Sequence, residues 1–132
     1  MKKIACILLS LALPLMLAAQ DNKTPEEREK EFYEALEKQI DNLTNLLDLE
    51  DWQVFYVDSI LTHDYLALSK EMEGLSQSKV TNPDLFYAVQ DKWMEQIHNS
   101  LHGVFDERQW AKYLKNGAAR EKRARDKRAK KQ

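Results

Sequence analysis

Apolar residues recur along most of the chain at spacings of three and four, which is the period of an amphipathic α-helix. The first such segment starts at Thr24-Pro25, where threonine can cap, proline suits the first turn, and Glu27 can complete a capping box. The pattern predicts three long helices beginning near Thr24, Asp48–Asp51 and Asn82, a short fourth capped by Asp106 and Gln109, and stops at Gly74, Gly103 and Asn116-Gly117. We therefore expect an all-α fold, a small antiparallel helical bundle or cradle, with a basic C-terminal tail.

The second predicted helix carries two apolar stripes rather than one. The first stripe consists of Val54, Val57, Leu61, Tyr65, Leu68 and Met72. The second consists of Leu49, Trp52, Tyr56, Ile60, His63 and Ala67. A helix that is apolar on two sides needs more than one neighbour, so this helix is either central to the bundle or part of a dimer interface.

The N-terminus has the order of a secretory signal peptide. Lys2 and Lys3 precede the apolar run 4–17, and Ala18 and Ala19 follow it. We expect cleavage near Ala19 or Gln20, with a retained membrane anchor as the alternative, and hence a periplasmic or secreted protein. The only cysteine would leave with this segment. The expected organisation is a signal peptide over residues 1–20, a helical domain over 21–117 and a basic tail over 118–132.

Charge is divided unevenly along the chain. Residues 21–110 contain 20 acidic and 8 basic residues, a net charge of −12, whereas residues 111–132 contain 2 acidic and 10 basic residues, a net charge of +8. The tail has no apolar residue larger than alanine, so we expect it to stay out of the core, as a helical extension or a disordered segment. Its candidate binding residues are Arg120, Arg123, Lys127 and Arg128.

The partner of that tail follows from its charge and from the predicted export. Export argues against nucleic acid, so anionic lipid head groups or the acidic body of the same or a second molecule are the better candidates. The alternative is a solvated helix end that only keeps the protein soluble.

The sharpest candidate for a chemical function is a possible metal site on the third predicted helix. Asp91, Glu95, His98 and His102 project from one face of the third helix. His98, His102 and Glu95 could bind a divalent metal such as zinc, although a solvated polar face is the alternative. No nucleophile elbow or glycine-rich loop is present in the sequence, so we expect no other cofactor and a non-enzymatic protein.

Aromatic residues are numerous for so small a core. We expect most of them to be buried and some to line an exposed apolar surface that binds apolar segments of unfolded or envelope proteins. The candidates for this contact are Trp52, Phe55, Tyr56, Trp93 and Trp110.

Two helix starts resemble the LTxxQ-motif family of periplasmic proteins, the Spy and CpxP group. Leu49-Glu50-Asp51-Trp52-Gln53 matches the leucine and the glutamine, with Glu50 in place of the capping threonine. Phe105-Asp106-Glu107-Arg108-Gln109 matches the glutamine, with Asp106 as a substitute cap. The resemblance implies an all-helical, cradle-like homodimer that acts in envelope stress as a chaperone or stress adaptor. The alternatives are a metal-binding or metal-sensing protein and a structural module that connects envelope components.

Overall fold

The computed structural model describes residues 23–131 and confirms the predicted all-α class. Its helices are α1 (Pro25–Leu47), α2 (Asp51–Gln77), α3 (Pro83–His102), α4 (Glu107–Tyr113) and α5 (Ala119–Ala129), with a π-helical turn, Leu114–Ala118, between the last two. None of the helices in this part of the chain is long and apolar enough to span a bilayer. The predicted signal peptide and its cleavage site lie outside the described residues.

Local capping chemistry starts the helices where the sequence predicts. The Glu27 amide donates to Oγ1 of Thr24 at 3.2 Å, and Oε2 of Glu27 accepts from the Thr24 amide at 3.3 Å, which completes a capping box at α1. At α3 the side chain of Asn82 accepts from the Asp84 amide at 3.0 Å. These bonds satisfy amides that have no partner within the first helical turn.

The predicted stop of the second helix at Gly74 is wrong, because α2 continues to Gln77. Gly74 is exposed and has open space around its Cα, so it costs the helix only about 1 kcal/mol relative to alanine. The chain leaves the helix at Ser78 and turns at Lys79, which has a φ of 57°.

Helix α2 is the central element of the bundle. The first apolar stripe supplies its buried residues Val57, Leu61, Tyr65 and Leu68, while Trp52 and Tyr56 of the second stripe stay half exposed. Cross-helix hydrogen bonds connect Gln96 with Asp64 and the Gln53 side chain with the Val104 carbonyl just beyond α3. The partner of Gln53, near the start of α2, lies just after the end of α3, and the partner of Asp64, further along α2, lies earlier on α3. Helices α2 and α3 therefore run antiparallel.

The basic tail forms a helix that docks on the bundle. Asn116 and Gly117 break the helical geometry, as the Asn-Gly pair predicts, with a φ of 113° at Gly117. The chain then resumes as α5, which packs antiparallel against α3. The expectation that the tail stays out of the core is wrong at two positions: Ala118 belongs to the hydrophobic core, and Arg125 is only 8% exposed.

Candidate functional site

Two buried glutamines join the starts of α2 and α4. Nε2 of Gln53 donates to Oε1 of Gln109 at 2.7 Å, and Nε2 of Gln109 donates to Oε1 of Gln53 at 3.0 Å. The two residues are 3% and 5% exposed. They occupy the glutamine positions of the two segments that resemble the LTxxQ motif, so these two segments contact each other directly in the folded chain.

The same two amides also hold the neighbouring chain ends. Gln53 accepts from the Glu50 amide at 3.0 Å and donates to the Val104 carbonyl at 3.1 Å. Gln109 accepts from the Asp106 amide at 2.9 Å and donates to the Leu47 carbonyl at 3.3 Å. The end of α1, the start of α2, the segment after α3 and the start of α4 therefore meet in one hydrogen-bonded junction, which we call the glutamine junction.

An open cleft of about 410 Å³ lies at this junction. It is lined by Asp48, Glu50, Trp52, Gln53, Gly103, Val104, Phe105, Asp106, Arg108 and Gln109. Trp52 connects the cleft with the outer surface of α2, since its ring is half exposed and its Nε1 donates to Oε2 of Glu50.

Three of the five predicted contact residues form a continuous exposed surface on α2. Trp52, Phe55 and Tyr56 are 52%, 67% and 51% exposed, and we call them the aromatic face. The Tyr56 ring lies 6.2 Å from Trp52 and 5.6 Å from Phe55, both in edge-to-face geometry. The aromatic face therefore offers a preformed, ordered apolar surface to a partner.

The other two predicted contact residues lie elsewhere and are partly buried. Trp93 packs against the core, and its Nε1 donates to Oε1 of Glu71 at 3.0 Å. Trp110 stacks on the ring of His102 at a centroid distance of 4.1 Å and lies 5.4 Å from Tyr113. Both tryptophans have intramolecular partners, so the five residues do not form one surface.

The predicted metal ligands are engaged by other groups. Glu95 accepts hydrogen bonds from Lys122 at 2.5 Å and from Nε of Arg125 at 3.0 Å. His98 is 8% exposed and packs edge-on against Trp110, on whose ring His102 also stacks. No group of three or more His, Cys, Asp or Glu side chains within residues 23–131 is placed to hold a metal ion. The zinc hypothesis therefore gains no geometric support.

Burial and neighbouring charges shift the pKa of two groups on this face, Glu95 and His98. Burial raises the pKa of Glu95, but the hydrogen bonds from Lys122 and Arg125 outweigh it and hold the pKa below its usual value. Burial lowers the pKa of His98, and the nearby Arg125 lowers it further. Of the four residues on this face, Asp91 and Glu95 pair with cations of α5, whereas His98 and His102 pack against Trp110 of α4.

The candidate tail residues divide between two faces of α5. Arg128 points toward α3 and forms a bidentate pair with Asp91, at 2.7 Å from Nε and 2.8 Å from Nη2. Arg120, Arg123 and Lys127 are exposed, and none of them makes an ion pair with another described residue.

Sequence reasoning identified Gln109 as a capping residue and matched Gln53 to the glutamine of the LTxxQ motif, but it missed that the two glutamines pair. The available signal was the recurrence of the same helix-start pattern 56 residues apart, with the glutamine at the same position in each. Compared with known proteins, the chain matches no protein-family model, no curated protein and no solved structure.

Proposed function

We propose that this protein is an exported, non-enzymatic binding protein of the chaperone or stress-adaptor type, which holds apolar segments of other proteins on the aromatic face of α2. The observation that carries the proposal is the exposure of three neighbouring aromatic rings on a long helix, with the Tyr56 ring in contact with the other two. Exposed aromatic clusters of this kind are typical of protein-binding surfaces, because burial of each ring on binding releases a large apolar area from water.

The surroundings of the aromatic face indicate which segments would bind. Glu50 and Asp51 precede the three rings in the sequence and Asp58 follows them, and all three acidic residues are exposed. An apolar surface with an acidic rim favours apolar segments flanked by lysine or arginine, since opposite charges speed association and disfavour acidic competitors. The proposed clients are therefore unfolded chains of basic proteins.

The glutamine junction supports the family resemblance within this proposal. Each of the two LTxxQ-like segments supplies one glutamine to the buried pair, so the recurrence has a structural role beyond capping. Export, a cradle-like homodimer and a role in envelope stress remain parts of the proposal that rest on the sequence and on this resemblance.

The test is light scattering from a chemically denatured basic client diluted into buffer with increasing amounts of the purified protein. We expect suppressed aggregation, and we expect the triple variant W52A/F55A/Y56A to weaken the apparent affinity by about tenfold or more, as for the loss of central aromatic contacts. Alanine preserves the helix at these exposed positions.

The matched control is Y33A/Y87A, which removes exposed aromatic rings from α1 and α3 instead. We expect this variant to retain most of the suppression. The proposal is contradicted if the native protein fails to suppress aggregation of several basic clients, or if both variants lose activity to the same extent.

A further inference from the structure

Helix α5 carries two rows of cations with different environments. The inner row, Lys122, Arg125 and Arg128, is paired with Glu95 and Asp91 of α3. The outer row begins with Arg120, Arg123 and Lys127 at spacings of three and four, and Lys130 and Lys131 follow at the end of the helix. At 3.6 residues per turn, the three helical members of the outer row share one side of the cylinder.

Arg120, Arg123 and Lys127 of the outer row have no ion-pair partner within residues 23–131, whereas the charge of Lys130 helps to lower the pKa of Asp126. All five of its residues are exposed, and none of the ion pairs in this part of the chain includes them. The ion pairs of the inner row meanwhile fix the orientation of the helix, so the outer cations are held together in one direction. A row of exposed cations that point in one direction attracts a negatively charged surface.

We propose that the outer row of α5 is a docking surface for a bilayer that contains anionic phospholipids. Helix α5 packs on α3, whereas the acidic helix α1 packs on α2 and α4. The exposed carboxylates Glu26, Glu34 and Glu37 thus lie on a helix whose main contacts are with elements other than α5. A negatively charged plane would attract the exposed cations of α5.

The composition of the outer row favours a lipid surface over a second copy of this chain. Helix α5, which carries the outer row, contains no apolar side chain larger than that of alanine. Stable protein interfaces have an apolar, charge-depleted centre that such a row cannot supply, whereas head groups in a plane need only opposite charge. The proposal concerns a surface distinct from the aromatic face and does not depend on client binding there.

The test is co-sedimentation of the purified protein with vesicles made of phosphatidylglycerol and phosphatidylcholine in equal parts, and with vesicles of phosphatidylcholine alone. We expect binding only to the anionic vesicles, and we expect it to weaken as salt shortens the screening length. Each cation near an anionic surface contributes about fivefold in affinity, so R120Q/R123Q/K127Q is expected to bind about 100-fold more weakly.

The matched control K30Q/K38Q/K70Q removes the same amount of charge from exposed positions on α1 and α2. It is expected to change vesicle binding by no more than a few fold, and circular dichroism checks that both variants keep the native helix content. Absence of binding to the anionic vesicles at low salt, or equal losses in the two variants, would overturn the proposal. Salt-sensitive self-association that only R120Q/R123Q/K127Q abolishes, without vesicle binding, would also overturn it and identify a second copy as the partner.

Discussion

Replacement of Gln109 by alanine tests whether the glutamine junction holds the helix ends together. The change removes the side-chain oxygen that accepts from the Asp106 amide and the donor to the Leu47 carbonyl. It also removes both hydrogen bonds between Gln109 and the side-chain amide of Gln53. Loss of a cap costs about 1 kcal/mol, and a buried polar group left without a partner costs about 1–3 kcal/mol. We therefore expect Gln109→Ala to lower the free energy of unfolding by about 2–4 kcal/mol, and Gln53→Ala by a similar amount.

The double variant distinguishes a shared junction from two independent caps. Either single substitution already breaks the hydrogen bonds between the two side-chain amides. The second substitution therefore removes fewer hydrogen bonds than it does alone. We expect the double variant to lose about 1–2 kcal/mol less than the sum of the single losses. Urea unfolding followed by tryptophan fluorescence and by circular dichroism measures all three, and for a domain of this size each single loss corresponds to a drop in Tm of about 10–20 °C.

The control for this series is Gln77→Ala, at an exposed position near the end of α2 where the side chain bonds only Glu73. Its effect should stay within about 0.5 kcal/mol. The reasoning is refuted if the losses at Gln53 and Gln109 are as small as this control, or if they add without any coupling.

Three further predictions concern the docked tail and the glycines. Glu95→Gln leaves the nearly buried Arg125 without its charge partner, so the free energy of unfolding in urea should fall by about 1–3 kcal/mol, and less at high salt. The depressed pKa of His98 contributes stability that is full above the unfolded value of 6.5 and is lost as pH falls below it toward the folded pKa; a His98→Gln variant should show a flatter stability curve there. Gly74→Ala should raise Tm by about 2–6 °C because helical backbone and open space accept a methyl group, whereas Gly117→Ala should lower it because the φ of 113° disfavours any side chain. Unchanged stability of Glu95→Gln would contradict the first expectation. The second would be contradicted by a His98→Gln variant whose stability depends on pH as the native protein's does, and the third by equal effects of the two glycine substitutions.

Features that depend on neighbouring residues could be predicted from the sequence. The caps at Thr24, Asn82 and Asp106 depend on residues two or three positions away, and the period of the first apolar stripe places Val57 and Leu61 in the core because burial follows one side of a helix. These predictions were correct because the residues that determine a cap or a buried stripe lie within one or two helical turns of each other.

Features that depend on distant partners could not be predicted. The docking of α5 rests on pairs between Glu95 and cations 27 and 30 residues away, and nothing near Glu95 distinguishes a carboxylate paired in this way from a metal ligand or a solvated side chain. For the same reason the aromatic content did not reveal that Trp93 and Trp110 have intramolecular partners, while the three rings of the aromatic face do not bury one another.

The position of the glutamine junction makes the bundle asymmetric along its length. The junction connects four segments at one end of the bundle. At the opposite end α2 passes into α3 through residues 78–82, all of which except the half-buried Val80 are exposed, and the described residues form no comparable set of hydrogen bonds there. Amide hydrogen exchange should accordingly be slowest near Gln53 and Gln109 and rise toward the connection between α2 and α3, since local opening needs the fewest broken contacts there. Local unfolding would then begin at the connection between α2 and α3. The helix starts beside the aromatic face would keep their arrangement.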